Sequence, residues 1–241
     1  VKQQVVYFFN LVFFKSFYLT FPFINKCKIS DPKCLKESTQ KAIPIVAAGL
    51  PNFGVEPLEP IRIDKIDASS QALKLVFKNI VGTGLSQCVQ SQKSVTFEDN
   101  SKIVVKLLCT VDITALYNVD GKILILPITG NGNAHIILSQ VLITVEAHVN
   151  EKIGSDGVNH WTIKDWNHVY ELKAKSTIQL ENLFDGNKEL AEAATQFISS
   201  SSNEIVTEIG PPIIKKVVFK IIKIVEKFFK SVPLVDLILK E

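Results

Sequence analysis

The sequence is without the short motifs that mark common enzymes. It contains no H-E-x-x-H, no G-x-S-x-G and no P-loop, and its "GTG" (82–84) and "GNG" (130–132) are too short to cradle a phosphate. Its four histidines, His135, His148, His160 and His168, fall in or beside strand-like segments without ligand spacing. They read as surface or satisfied interior residues, and no catalytic residue, metal ligand or cofactor site is nominated. No N-x-S/T sequon occurs, so glycosylation says nothing about export. A formal net charge of +3 over 241 residues is too small to argue for a nucleic-acid partner. Also missing is an uninterrupted apolar run of the roughly 20 residues that span a bilayer as a helix. The greasiest stretch, "VKQQVVYFFNLVFFKSFYLT" (1–20), is broken by Asn10 and Lys15.

What is present suits a globular chain. An apolar content of 46% and a charged content of 21% allow one large domain, or two small ones, with a real core. No periodic repeat or low-complexity linker divides the chain. Residues 1–20 fit a secretory signal with an apolar centre of about ten residues, although Lys2 is the only early basic residue and no A-x-A site follows. The expected organisation is a signal at 1–20 and a single domain over 21–241.

Four cysteines suit an exported protein. In "CKISDPKC", Ser30 and Asp31 can cap a helix whose first turn accepts Pro32. A Cys27–Cys34 disulfide would staple the incoming chain to that helix, and no second Cys or His pair stands at zinc-ligand spacing. Cys88 and Cys109 flank a hairpin turn expected at "EDNS" (98–101). Centring the turn on Asp99–Asn100 places 88 opposite 111, so the two cysteines lie diagonally on one sheet face. A shift of one residue puts them directly opposite. Two buried free thiols is the preferred reading, with a cross-strand disulfide as the alternative.

Along the chain, "LKESTQKAIPIVAAG" reads as a helix interrupted by Pro44 and ended by Gly49. "GLPNFGVEPLEP" is a connector. From about 61 to 180 the pattern is long strands: "IVVKLLCTVDITALY" alternates through Ile103, Val105, Leu107, Cys109, Val111 and Ile113, and "NVDGK" signals a hairpin turn at Asp120–Gly121. Strands of this length imply a twisted, curled sheet, with Gly82/Gly84 and Gly130/Gly132 as bulge or bend points. Residues 187–230 then read as helical, about 66 Å if continuous. Gly210-Pro211-Pro212 should kink or divide that run, and Ser199–Ser202 weakens it.

The segment "IIKKVVFKIIKIVEKFFK" (213–230) carries six Lys against one Glu, so the remainder of the chain sums to −2. Its apolar residues fill about half of a helical wheel, and Phe219 alone interrupts the polar side. That pattern suits a helix lying on a lipid surface or one wrapped by its own sheet. Context favours self-burial, because no other element is long enough to cover the inner face of the strands.

Five ordered segments, "CKISDPKCLKES", "GLPNFGVEPLEP", "DGKILILPITGNG", "LENLFDGNKEL" and "VPLVDLI", resemble the insect takeout/juvenile-hormone-binding proteins over about residues 21–241. The resemblance implies an α+β fold in which a strongly curved antiparallel sheet, the super-roll of the tubular lipid-binding proteins, wraps a long C-terminal helix around an elongated hydrophobic tunnel. It implies a secreted, extracellular, non-enzymatic carrier of a terpenoid, fatty acid or related lipid, expected to be monomeric with at most transient membrane contact. Cys27 and Cys34 match the family's N-terminal disulfide. "ISSSSNEI" after Phe197, and the Cys88/Cys109 pair, depart from the family pattern. Tunnel-lining candidates are Val105, Leu107, Val217, Ile221, Val225 and Phe228. Trp161 and Trp166 read as sheet packing. The rival function is a membrane-surface or defence protein acting through the basic helix.

Overall fold

In the computed structural model the described residues are 23–98 and 101–239, with backbone alone for 92–94. The segment read as a signal, residues 1–20, and the pair Asp99–Asn100 lie outside them. Helix α1 (Pro32–Ala48) starts where its capping residues dictate: one Asp31 carboxylate oxygen accepts the N–H groups of Lys33 at 3.1 Å and Cys34 at 3.0 Å, and Pro32 opens the first turn. Pro44 sits inside this helix without ending it, and Gly49 follows its last residue. The Cys27–Cys34 disulfide ties the incoming chain to α1.

Seven antiparallel strands follow: β1 (Ile61–Asp67), β2 (Leu73–Thr83), β3 (Val89–Glu98), β4 (Lys102–Ile123), β5 (Leu126–Ile153), β6 (Asn159–Leu172) and β7 (Thr177–Leu180). Their order is β1-β2-β4-β5-β6, with β3 beside β4 and β7 beside β5. β4 has 22 residues and β5 has 28, lengths of about 75 and 95 Å if straight, so both must coil. The coiling needs phase corrections. On β5 the inward residues are Ile136 and Leu138, then Ile143, Val145 and Ala147, a switch from even to odd positions. The ladder shifts between Cys109 and Val111, opposite Ser139–Gln140, and Gln140 takes φ 50°. Without that bulge, half of β5 would turn its apolar residues to solvent.

The bulges are not at the expected glycines. They fall at Lys78–Val81, Gln90–Val95, Cys109–Val111 and His148–Val149, whereas Gly130 and Gly132 pair regularly with Val119 and Tyr117. The β4–β5 turn is also displaced from Asp120–Gly121: pairing continues to Ile123↔Leu126, and Leu124–Ile125 turn the chain with Leu124 at φ 53°. Gly121 meets a different demand. At φ 134° it lies against the start of β2, where a Cβ would stand 2.4 Å from the Ala72 carbonyl oxygen. The shift within the β3–β4 ladder settles the second cysteine pair. Phe97 faces Ile103, yet Val89 faces Leu108, so Cys88 lies directly opposite Cys109. They form a disulfide with Cα atoms 4.4 Å apart, and not the free thiols preferred from the sequence.

After β7 come α2 (Lys188–Ser200), α3 (Ser202–Ser231) and α4 (Leu234–Leu237). The long helical run divides at Ser201, while Gly210-Pro211-Pro212 lie within α3. Asn203 fixes the division: its side chain accepts from the Ser176 N–H at 2.9 Å and donates to the Ala174 carbonyl at 3.1 Å. The sheet does not close on itself: β1 and β6 end its main path, and β3 and β7 are shorter edges beside β4 and β5. α3 packs against both β1 and β6. Ile214, Val218 and Ile222 meet Trp166 and Tyr170 of β6, and Lys220 donates to the Arg62 carbonyl of β1. Ile214, Val218, Ile222, Ile224 and Phe228 are all buried, a contribution of very roughly 8–15 kcal/mol before entropy. The apolar face that resembled a membrane-seeking helix is consumed by the fold.

Two outcomes follow. Gly121→Ala should cost about 2–4 kcal/mol in chemical denaturation, because a left-handed backbone and a backbone clash act together. Gly186→Ala, also at positive φ but with nothing within 4 Å of its Cβ, should cost about 1–2 kcal/mol. Tyr117, buried and donating to the Glu181 carbonyl at 2.6 Å, has its pKa pushed by burial, then by the Glu181 charge, from 10.0 to about 12. Below pH 10 the hydroxyl is neutral in both folded and unfolded chains. Between pH 10 and 12 only the unfolded chain ionises, so stability is lost as pH rises through that window. Tyr117→Phe should remove about 2 kcal/mol of that alkaline loss, read from denaturation midpoints at pH 9 and pH 12.

Candidate functional site: an apolar cavity beneath two helices

The roll's inner face is paved by the inward stripes of the long strands, and the described residues enclose a larger and a smaller cavity along α3. The larger is about 350 Å³, within the range of small-molecule sites. Its floor is Ile103, Val105, Leu107 and Cys109 of β4, with Ile143, Val145 and Ala147 of β5 and Trp161 and Ile163 of β6. Val218, Ile221, Ile222, Val225, Phe228 and Phe229 of α3 form a side wall. α1 roofs it with Leu35, Ala42, Ile43 and Val46. Toward β6 the wall is aromatic: Trp161 stands 5.6 Å from Phe97 and edge-on to Phe229 at 5.4 Å. The smaller cavity, about 60 Å³, lies between β2, β4 and β5 and the first half of α3, against Phe77, Tyr117, Ile136 and Ile213.

Several contacts hold the roof in place. The Gln40 side chain imitates a strand backbone, donating to the Cys88 carbonyl at 3.1 Å and accepting the Gln90 N–H at 2.8 Å. The Cys88–Cys109 disulfide anchors the same point to β4. The segment before α1 is also joined to the segment at α4. Cys27 bridges Ile238, the Leu239 N–H donates to the Cys27 carbonyl at 2.9 Å, and Lys26 pairs with Asp236 at 2.7 Å. This returns Leu237 and Ile238 to the cavity wall.

Among the described residues, none lining the larger cavity carries a charged side chain. Its polar side chains gather at the α1 end: Asn25, Ser38 and Thr39. The Ser38 hydroxyl donates to the Asn25 carbonyl at 2.9 Å and accepts its N–H at 2.9 Å, so Thr39 and the Asn25 amide are the polar groups available to an occupant. A chain-like, uncharged molecule with one polar end fits this wall. The histidines do not converge: His135 pairs with Asp112, His148 with Asp165 and His160 with Asp156.

Of the lining candidates, Val105, Leu107, Ile221, Val225 and Phe228 are brought together around the larger cavity. Val217 is partly buried in the core and lines neither cavity. Trp161, read as packing, lines the cavity; Trp166 lies outside it, 6.5 Å from Phe219. Sequence reasoning also missed α1. The spacing of Leu35, Ala42, Ile43 and Val46 is a helical apolar face, and that signal was legible. Leu107→Trp should reduce binding of a fluorescent apolar probe by tenfold or more by filling the cavity. Val217→Ala should lower stability by about 1–2 kcal/mol and leave probe affinity unchanged.

The geometry has counterparts among known proteins. A family model described as haemolymph juvenile hormone binding protein (JHBP) matches residues 6–239. The circadian clock-controlled protein daywake of Drosophila melanogaster is 26% identical over 229 residues, 90% of this chain and 88% of that one. A Schistocerca gregaria protein proposed to bind beta-carotene is 23% identical over 183 residues, covering 75% of this chain and 73% of its own. The crystal structure of Epiphyas postvittana Takeout 1 superposes with a TM-score of 0.86 at 28% identity, covering 90% of this chain and all of that one (100%).

Proposed function

The chain belongs to the insect takeout and haemolymph juvenile hormone binding protein family, and from that premise we propose that it is a secreted carrier. It transports or sequesters an uncharged terpenoid or long-chain lipid in the cavity beneath α1 and α3. The observation that carries this reading is a cavity of about 350 Å³ whose wall, among the described residues, holds no charged side chain. Each methylene moved from water into such a wall contributes about 0.8 kcal/mol. Ten of them supply about 8 kcal/mol, on the scale of micromolar binding before ordering costs. An ionised carboxylate in the same interior would lose its hydration with no cation to replace it, so a free fatty acid is the poorer ligand. The polar end of the occupant lies near Thr39 and Asn25, and its tail runs toward Trp161 and Phe229.

Two disulfides favour an oxidising compartment and support secretion. The Schistocerca relative's proposed ligand, a long uncharged isoprenoid, is of the chemistry this wall accepts. The carrier needs no cofactor and works as a monomer. Displacement of bound N-phenyl-1-naphthylamine tests the reading. Farnesyl acetate should compete at least tenfold better than palmitate at neutral pH. Equal or better competition by palmitate would overturn the preference for an uncharged ligand, and failure of both to compete would overturn the carrier reading.

A further inference from the structure

The outward face of α3 has no role in the cavity. The helix spends its apolar side on the sheet, yet its solvent side is not ordinary. Lys215, Lys216, Lys223, Lys227 and Lys230 are exposed along it. Among them stands Phe219, 44% exposed and aromatic where a soluble helix would carry a polar residue. Phe219 sits beside the half-buried Trp166 of β6, with the Lys223 ammonium 5.7 Å from its ring centre.

Acidic partners answer only part of this charge. Glu226 pairs with Lys223 and Lys230, and Glu56 pairs with Lys227. Among the described residues, Lys215 and Lys216 take part in no ion pair. The flanking edge strands add no net positive charge: exposed Arg62, Lys65 and Lys164 stand against Asp64, Asp67, Asp165 and Glu171, of which Asp165 pairs with His148 and Glu171 with Lys173. With the rest of the chain slightly acidic, the excess of positive charge is local to residues 213–230 of α3.

We propose that the outward face of α3, centred on Lys215, Lys216, Phe219 and Lys223 with Trp166 beside it, is a reversible docking surface for anionic lipid bilayers. Lysines beside exposed aromatic rings suit a bilayer interface, where ammonium groups meet headgroup phosphates and carboxylates and the rings enter the boundary layer. Compact ammonium charges serve a fluid layer of headgroups; planar, bidentate recognition of a fixed acidic protein site is the province of arginine. Ile221 and Val225 line the cavity from the far side of the same helix. Docking there brings the cavity to within about one helix diameter, 10–12 Å, of the membrane. The surface stands on charge and exposure alone, so its test is separable from that of the carrier reading.

Flotation of the full chain with vesicles tests it. The protein should float with phosphatidylcholine vesicles containing phosphatidylserine at low salt, should be released at high salt, and should ignore pure phosphatidylcholine. Lys215→Gln/Lys216→Gln/Lys223→Gln should weaken vesicle binding about a hundredfold. Phe219→Ser should weaken it while preserving the salt dependence. Binding of N-phenyl-1-naphthylamine in both variants should match the unaltered protein, showing that the fold and cavity are intact. Absence of flotation at low salt, undiminished binding by the triple variant, or binding to polyglutamate without binding to vesicles would each overturn the proposal.

Discussion

The inner face of one curled sheet has to be covered, and α3 is the element that covers it. Because β1 and β6 remain unpaired with each other, the roll has a seam, and the 30-residue α3 seals it over about 45 Å. The division of the chain's charge follows from this placement. The side of α3 that faces the strands must be Ile, Val and Phe, and the side left at the seam's surface carries the lysines. Removing the helix would expose the inward stripes of β4 and β5 together, and no sheet with an apolar face that large is stable in water.

A single helix can seal the seam without filling the roll. Along the first half of α3, Ile213 and Ile214 approach the strands and leave about 60 Å³. Along the second half the sheet stands further away, and about 350 Å³ remains. There α1 becomes necessary as a roof. Its position rests on a small number of specific links: the Cys27–Cys34 staple, the Gln40 side chain bonded into the start of β3, and the Cys88–Cys109 disulfide beneath that point. The pairing of Cys27 with Ile238 closes the same end with the C-terminal segment. The cavity is thus a consequence of mismatch between one helix and a wide sheet, with apolar side chains on every wall because each wall belongs to the core.

Local periodicity made much of this visible. The odd-numbered stripe from Ile103 to Cys109, the apolar face of residues 213–230, and the Asp31-Pro32 helix start are each set by neighbours a few residues away, and each appears in the structure. Features set by distant partners were not legible. Asp120–Gly121 looked like a hairpin turn, but Gly121 is required by the approach of Ala72 from another strand, and the actual turn uses Leu124, whose N–H is held by the Glu208 carboxylate at 3.1 Å. Cys88 and Cys109 became partners through an irregularity between Gln90 and Val95 that no turn residue signals. Gly210-Pro211-Pro212 has strong breaking propensity, yet packing on both sides keeps α3 continuous, and the break moves to Ser201, where Asn203 can bond two strand-end backbone groups. The cavity's location was half legible for the same reason. Five lining residues on β4 and α3 follow from their own periodicity, whereas the contribution of α1 depends on how the chain folds back over the sheet.

The central claim is that the space beneath α1 and α3 exists to be occupied by a nonpolar molecule. Native mass spectrometry of the purified protein tests it most directly, with the same sample measured after denaturation and solvent extraction. The account predicts a folded-state mass above that of the bare disulfide-bonded chain, and recovery of an uncharged, chain-like lipid or isoprenoid that accounts for the difference. A folded mass equal to the bare chain in material purified from its native source, with nothing nonpolar in the extract, would contradict it.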